Sequence, residues 1–320
     1  MFESIYKLIY NFLFYTQYDN VENRRKIKYP NPVKKYTKIS FKEDYIIHEN
    51  NIKLYYQNFY PKNNIIIGKI FFLHGYASNN AYWAKDYGIK LARIGYSVYM
   101  LDGKGHGKSD GLWGYIDDYS SLVDDQYNFI KSITDYSDVK TILWGDSMGG
   151  ATAIKLMLKD PNISSGIILI APMIKIADDA KPSKSLENLF IWLSDYLPTW
   201  PILPHNTYPH SGFHPLVPRD FIYNNPLCYN KKPRLGTAIQ LYNVSCEIEQ
   251  LLHTISFPFL VIHGKNDKLT DWQHSKILYD KAISEDKELI IYEDCYHCLL
   301  EGPYKDIIYE DIYKWLKIRI

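Results

Sequence analysis

The sequence predicts an α/β fold: a mainly parallel sheet flanked by helices, with a cap segment inserted into it. Three observations carry that reading. From Asp44 to Ala171, short apolar β-prone runs alternate with helix-forming runs, which is the pattern of strand–helix–strand units. Between Pro172 and Ser256 the alternation stops, and Pro198, Pro201, Pro204, Pro209, Pro215, Pro218, Pro226 and Pro233 break up the chain. At Phe257 it resumes. A chain of 320 residues is long enough to bury a large core as one α/β unit with an insertion.

The elements follow in order. Asp44–Ile47 and Ile52–Phe59 read as the first strands, and Lys69–Leu73 as a buried one, because four apolar residues run together. A helix near Tyr82–Ile94 precedes the strand Tyr96–Leu101, and a helix at Ser120–Ile133 precedes the strand Val139–Trp144. Gly149–Leu158 is a good helix former and Ser165–Ala171 a strand. In the middle segment only Leu186–Leu197 and Thr237–Leu252 read as helical. Phe257–Gly264 is a buried strand ending at glycine, Asp271 caps a helix over Trp272–Ile283, and Glu288–Tyr292 is the last strand before a helical C-terminus. This divides the chain into an N-terminal extension (1–42), a core (43–171 and 256–320) and a cap (172–255). Two readings of the cap stand: a lid that excludes water and shapes a site, or a plain helical excursion.

The most informative motif is Gly145-Asp146-Ser147-Met148-Gly149-Gly150, between the strand Val139–Trp144 and the helix that follows. A strand turning sharply into a helix forces its middle residue into a strained conformation. Gly145 and Gly149, two before and two after, let the backbones pass. Ser147 is thereby held exposed at the sheet's top, near the positive end of a helix. A nucleophilic serine needs a base, and the base needs an orienting acid. Asp267 lies just beyond the strand ending at His263-Gly264, and His297 lies in the loop after Glu288–Tyr292. Ser147, Asp267 and His297 therefore stand in the order serine, acid, histidine, each on a loop after a strand. Asp271 and Asp294 are the competing acids. Asp271 reads better as a helix cap, and Asp294 sits on the wrong loop.

The oxyanion hole is expected at two backbone amides: Met148, next to the nucleophile, and Tyr76, in His74-Gly75-Tyr76 after the strand Lys69–Leu73. The loop Asp102–Gly111 has the glycines of a phosphate-binding loop. It lacks that motif's spacing and its immediately following helix, and reads as a structural border of the site. Of the ten histidines, His263 reads as a structural hydrogen-bonder. His205, His210 and His214 lie in the irregular middle segment, and His48, His253 and His274 read as surface or packed. No His-Glu-x-x-His and no paired Cys spacing points to a metal. No cofactor is called for.

These blocks, with Gly105–Gly111, Ala171-Pro172-Met173, Lys232–Ala238, His263–Asp267 and Tyr292–His297, resemble the monoacylglycerol lipase and lysophospholipase branch of the α/β-hydrolases, particularly its plant-type esterases. The likeness runs in the family's order from about Lys42 to the C-terminus. It implies a serine hydrolase that cleaves a fatty acyl ester of a monoacylglycerol or lysophospholipid through an acyl-enzyme, under a mobile cap. A broad carboxylesterase or thioesterase, or a hydrolase-fold ligand binder with little turnover, are the other readings. Asp146 stands where family members carry His or Glu, and Asn206–Asn225 departs from the family in its wealth of His, Pro and Tyr.

Lys plus Arg number 37 against 36 Asp plus Glu, for a net charge of +1, which argues against generic nucleic-acid binding. The charge is uneven: residues 1–42 carry nine Lys/Arg and three Asp/Glu, including Arg24-Arg25-Lys26-Ile27-Lys28. Ahead of that run Phe2, Ile5, Tyr6, Ile9 and Leu13 recur at helical spacing. The segment reads either as a peripheral membrane anchor or as a helix packed on the domain with a solvated basic linker. Lys7 and Asn11 interrupt the apolar part, so it fits a signal peptide poorly. Four cysteines (Cys228, Cys246, Cys295 and Cys298) are too few and scattered for a disulfide scaffold, and suggest a reducing, cytoplasmic setting. Nothing in the sequence bears on oligomeric state.

Overall fold

Runs such as Ile70-Phe71-Phe72-Leu73 and Leu260-Val261-Ile262 have no polar face, so a strand built from them must be covered on both sides. The computed structural model, which describes residues 9–10, 13–29, 31–48, 51–79, 85–134, 139–175, 183–201, 212–217 and 225–320, does cover them. Phe71, Leu73, Leu143, Leu169 and Val261 enter one core layer. Their neighbours Ile70, Phe72, Trp144, Ile170 and Ile262 enter the other, as the two-residue period of a strand requires.

The strands are β1 (Ile39–Ile47), β2 (Lys53–Pro61), β3 (Gly68–Leu73), β4 (Tyr96–Leu101), β5 (Thr141–Asp146), β6 (Ile167–Ile170), β7 (Phe259–Gly264) and β8 (Lys287–Tyr292). They form one sheet in the order β1-β2-β4-β3-β5-β6-β7-β8. β1 and β2 pair antiparallel, as do β2 and β4, and every later pair is parallel. The main helices are α1 (Val21–Arg25), α2 (Lys85–Arg93), α3 (Tyr119–Thr134), α4 (Met148–Lys159), α5 (Lys184–Ser194), α6 (Leu235–Leu251), α7 (Trp272–Lys281) and α8 (Lys305–Arg319). Buried residues of α3, α4, α6 and α7 pack on one face of the sheet, and those of α2 and α8 on the other.

β1 begins at Ile39, inside the range read as extension, because Ile39 is buried and pairs with Pro61. The start of the helix expected at Tyr82 lies outside the described residues. So do Phe2, Ile5 and Tyr6 of the N-terminal helical stripe, His205 and His210, and much of Asn206–Asn225. Ile9 and Leu13 are exposed, whereas Tyr10 is buried and the Phe14 ring lies 5.2 Å from that of Trp200.

The basic run that follows is not simply solvated. Arg24 is fully buried, and its guanidinium donates to the carbonyls of Tyr18, Gly107, Ser109 and Gly111 at 2.6–3.0 Å. It clamps the glycine-rich loop after β4. Four of that loop's amides are spent within it: Gly105 donates to Asp110, His106 to Gly103, Ser109 to His106, and Lys108 to the Asp102 carboxylate. Gly107, at φ +47°, leaves no room for a side chain, since a Cβ there would lie 1.9 Å from Asp102 Oδ2.

Candidate active site

The carboxyl ends of β3, β5, β6, β7 and β8 converge where ligands of open α/β sheets bind. Ser147 sits between β5 and α4 with φ +54° and ψ −114°, a conformation that costs energy in any residue with a Cβ. The surrounding glycines show why the turn is tolerated. A Cβ on Gly145 would lie 2.3 Å from the Gly149 carbonyl oxygen, and one on Gly149 would lie 1.9 Å from that of Leu73. The Ser147 amide donates to Ile170 O at 2.9 Å, and its carbonyl accepts from Met173 N at 2.9 Å, so the end of β6 grips the turn from both sides.

Of the three acids weighed for the histidine, Asp267 is the one that faces it: His297 Nδ1 lies 2.7 Å from Asp267 Oδ2. Asp271 caps α7 by accepting from Gln273 N. Asp294 turns outward toward Tyr304 and His214. Asp267 is surrounded by donors. Oδ1 accepts from the amides of Leu269 and Thr270 at 2.7 and 3.1 Å, and Oδ2 also takes His263 Nε2 at 3.0 Å. Burial alone would raise its pKa. The positive charge and hydrogen bonds available from His297 and His263 outweigh that and hold it well below the usual carboxylate range. His263 in turn is fixed through Nδ1 to Ser275 Oγ at 2.8 Å.

Thr270 carries no motif signal in the sequence. Its hydroxyl lies 2.8 Å from Asp267 Oδ2, 3.1 Å from His297 Nδ1 and 3.1 Å from the Ala171 carbonyl oxygen. Because Ser147 hangs from Ile170, one residue earlier, Thr270 ties the Asp–His pair to the strand end that holds the serine. The Ser147 hydroxyl itself makes no hydrogen bond to a described residue.

Burial disfavours the charged form of His297, but Asp267, with Asp146 and Glu301 adding to it, shifts its pKa upward overall. The two extra carboxyls are themselves perturbed. Burial raises Asp146 to about 6, and burial with repulsion from Asp146 raises Glu301 to about 8. Burial also pushes Cys295 up to about 11 and Cys298 well above the usual thiol range, so both thiols beside His297 are protonated at neutral pH.

The amides of Met148 and Tyr76 donate to no described residue, which leaves both available. The Gly75 carbonyl accepts from Ser78 N at 3.3 Å and from His74 Nδ1 at 2.8 Å. His74 Nε2 accepts from Gly103 N at 2.9 Å, which places the ring proton on Nδ1. Fixing that carbonyl fixes the trans peptide's N–H, that of Tyr76, on the opposite side.

This fold is that of an α/β-hydrolase. Residues 66–303 match the family described as serine aminopeptidase, S33, and the chain belongs to that family. It is similar to caffeoylshikimate esterase of Arabidopsis thaliana, 31% identical over 277 residues that cover 84% of this chain and 83% of the relative. Monoglyceride lipase of Mus musculus is 29% identical over 70% of this chain and 74% of its own length. The crystal structure of a soluble variant of monoglyceride lipase from Saccharomyces cerevisiae, in complex with a substrate analog, matches with a TM-score of 0.73 at 18% identity. It covers 91% of this chain and 98% of that one, and at such identity it speaks for the fold.

Proposed function

We propose that the protein is a serine esterase that releases a fatty acid from a monoacylglycerol or a lysophospholipid. The observation that carries this reading is the pairing of a strained, positive-φ Ser147 with a His297–Asp267 pair braced to the same strand end through Thr270. The esterase and monoglyceride lipase relatives favour an ester over other acyl donors. His297 Nε2 takes the Ser147 proton as the oxygen attacks the ester carbonyl, and the bond from that carbon to the alcohol oxygen breaks. His297 returns the proton to the departing glycerol oxygen. Water, deprotonated by His297, then cleaves the acyl-enzyme. Serine–histidine contacts are often loose before substrate binds and tighten in the complex. Met148 and Tyr76 supply the oxyanion donors, one such donor being worth about 3 kcal/mol of barrier.

The connection between β6 and β7 acts as the cap. Peripheral attachment to a membrane surface brings the enzyme to its lipid. The support is the exposure of the apolar side chains of Ile9, Leu13, Leu189 and Trp192, together with that of Lys26, Lys28, Lys34, Lys35 and Lys38. Among the described residues no helix is long and apolar enough to cross a membrane.

Fatty acid release from monoacylglycerol and lysophosphatidylcholine, measured for the parent and Ser147→Ala, tests the assignment. Loss of activity by several decades in a folded Ser147→Ala protein is expected, and the ratio of the two rates gives the head-group preference. Retention of most activity would overturn the nucleophile. A parent that releases neither acid, while a fluorophosphonate still labels Ser147, would move the substrate to small esters or thioesters. Failure to label would favour a ligand-binding role.

A further inference from the structure

The turn that aims the Tyr76 amide is not self-sufficient. Gly75–Ser78 closes with Ser78 N donating to Gly75 O, and its third residue, Ala77, has φ +65°, where such turns ordinarily place glycine. With a Cβ at that position the turn needs external support. His74 holds the first half. The second half rests on the cap segment and on the loop after β4: Tyr229 N donates to Ala77 O at 2.8 Å, and the Tyr76 hydroxyl donates to Gly114 O at 3.0 Å. Beneath the turn Trp113 and Tyr229 meet edge to face, 5.2 Å between centroids at 89°, and with Ala77 they form a small separate apolar cluster.

One guanidinium holds that floor in place. Arg234 is 2% exposed. Its Nε donates to Trp113 O at 2.8 Å and its Nη1 to Thr199 O at 2.7 Å, while its Cζ lies 5.5 Å from the centre of the Tyr229 ring. The remaining contacts come from the N-terminal segment. Asp19 Oδ1 accepts from Nη2 at 2.5 Å and the Tyr10 hydroxyl accepts from Nη1. Asp19 is itself fixed, since its Oδ2 accepts from Thr16 N at 2.7 Å. Tyr18, one residue earlier, packs edge-on against Trp113.

We infer that Arg234 and Asp19 are positioning residues for the oxyanion hole: the N-terminal strap, through this buried ion pair, holds the Trp113–Tyr229 floor that keeps the Tyr76 N–H on target. Neither residue touches the reacting atoms. Their effect falls on the transition state, when negative charge appears on the carbonyl oxygen, rather than on substrate binding. The inference rests on the assignment of the Tyr76 amide as an oxyanion donor.

The test uses the full chain with Asp19→Asn, which keeps the shape and removes the charge. Loss of one complete oxyanion donor costs about 100- to 1000-fold in kcat, so a misaimed one is expected to cost about 10-fold, with KM within about two-fold of the parent. Affinity for a trifluoromethyl ketone, whose tetrahedral serine adduct places an oxyanion in the same hole, falls by the same factor as kcat. Affinity for the unreactive ether of the same chain length stays at the parental value. Ala77→Gly removes the strain that the strap offsets, so adding it to Asp19→Asn restores most of the lost kcat.

Parental kcat in a folded Asp19→Asn protein would overturn the inference. A loss that Ala77→Gly does not relieve, with ether binding weakened equally, would also overturn it, because that is general loosening. Should Asp19→Asn fail to fold, Tyr10→Phe removes a single hydroxyl from Arg234 and reads the same kcat-to-ether contrast at a smaller amplitude of about two-fold. A flat result there counts against the inference. Persisting turnover in Ser147→Ala, or a parent insensitive to the trifluoromethyl ketone, would instead remove the catalytic reading on which it depends.

Discussion

At the scale of single residues the candidate site separates into groups that chemistry names and groups that only packing reveals. Ser147, Asp267 and His297 could be proposed from the sequence because their residue types, order and loop positions match what a serine nucleophile requires, and the structure sets His297 against Asp267. Thr270 could not be, since one hydroxyl among many has no signature until the fold sets it against Asp267, His297 and Ala171 at once. Thr270→Val keeps the shape and removes that link. About ten-fold lower kcat is expected, one hydrogen bond's worth of barrier, and steady-state kinetics on a soluble ester would show it. Asp146 offers a test by pH. As the proposed base, His297 works only when neutral, and the upward shift of its pKa owes part of its size to Asp146. Removing that anion lowers the imidazole pKa, so the acid limb of the kcat/KM profile moves to lower pH in Asp146→Asn. A limb that stays in place, or moves up, contradicts the assignment.

The strands and helices show a different balance. Buried runs such as β3, β5 and β7 were readable because a parallel strand covered on both faces is apolar throughout. Helix α4 was readable because its start is fixed by the elbow. The docking of the N-terminal segment shows only in the structure: a run of Arg and Lys reads as solvated, and sequence alone does not show that Arg24 would meet carbonyls 83 to 87 residues away. Glycines Gly105, Gly107 and Gly111 all have positive φ, and they turn those carbonyls inward. Arg24→Met leaves four acceptors without their donor, at roughly 1 kcal/mol or more each. A melting temperature lower by several degrees is expected by calorimetry, and an unchanged one would show that the clamp is dispensable.

On the scale of the whole molecule, β1 to β8 build a platform that alternation alone foretold, whereas the strand order and the docking of the N-terminal segment needed contacts far apart in the chain. If the exposed side chains of Ile9, Leu13 and Trp192 meet lipid, then Leu13→Glu with Trp192→Glu weakens sedimentation with anionic phospholipid vesicles. Hydrolysis of a short soluble ester is spared. Equal vesicle binding by parent and variant would remove the peripheral attachment. The strap also carries a consequence for how the protein is made. Asp19 and Arg234 are 215 residues apart, so at roughly 5–20 residues per second the ribosome leaves Asp19 waiting about 10–40 s for its counterion. His297 is translated later still. On the proposed mechanism the base is therefore the last of these groups to be made, and turnover waits until the strap, its counterion and His297 have all left the ribosome.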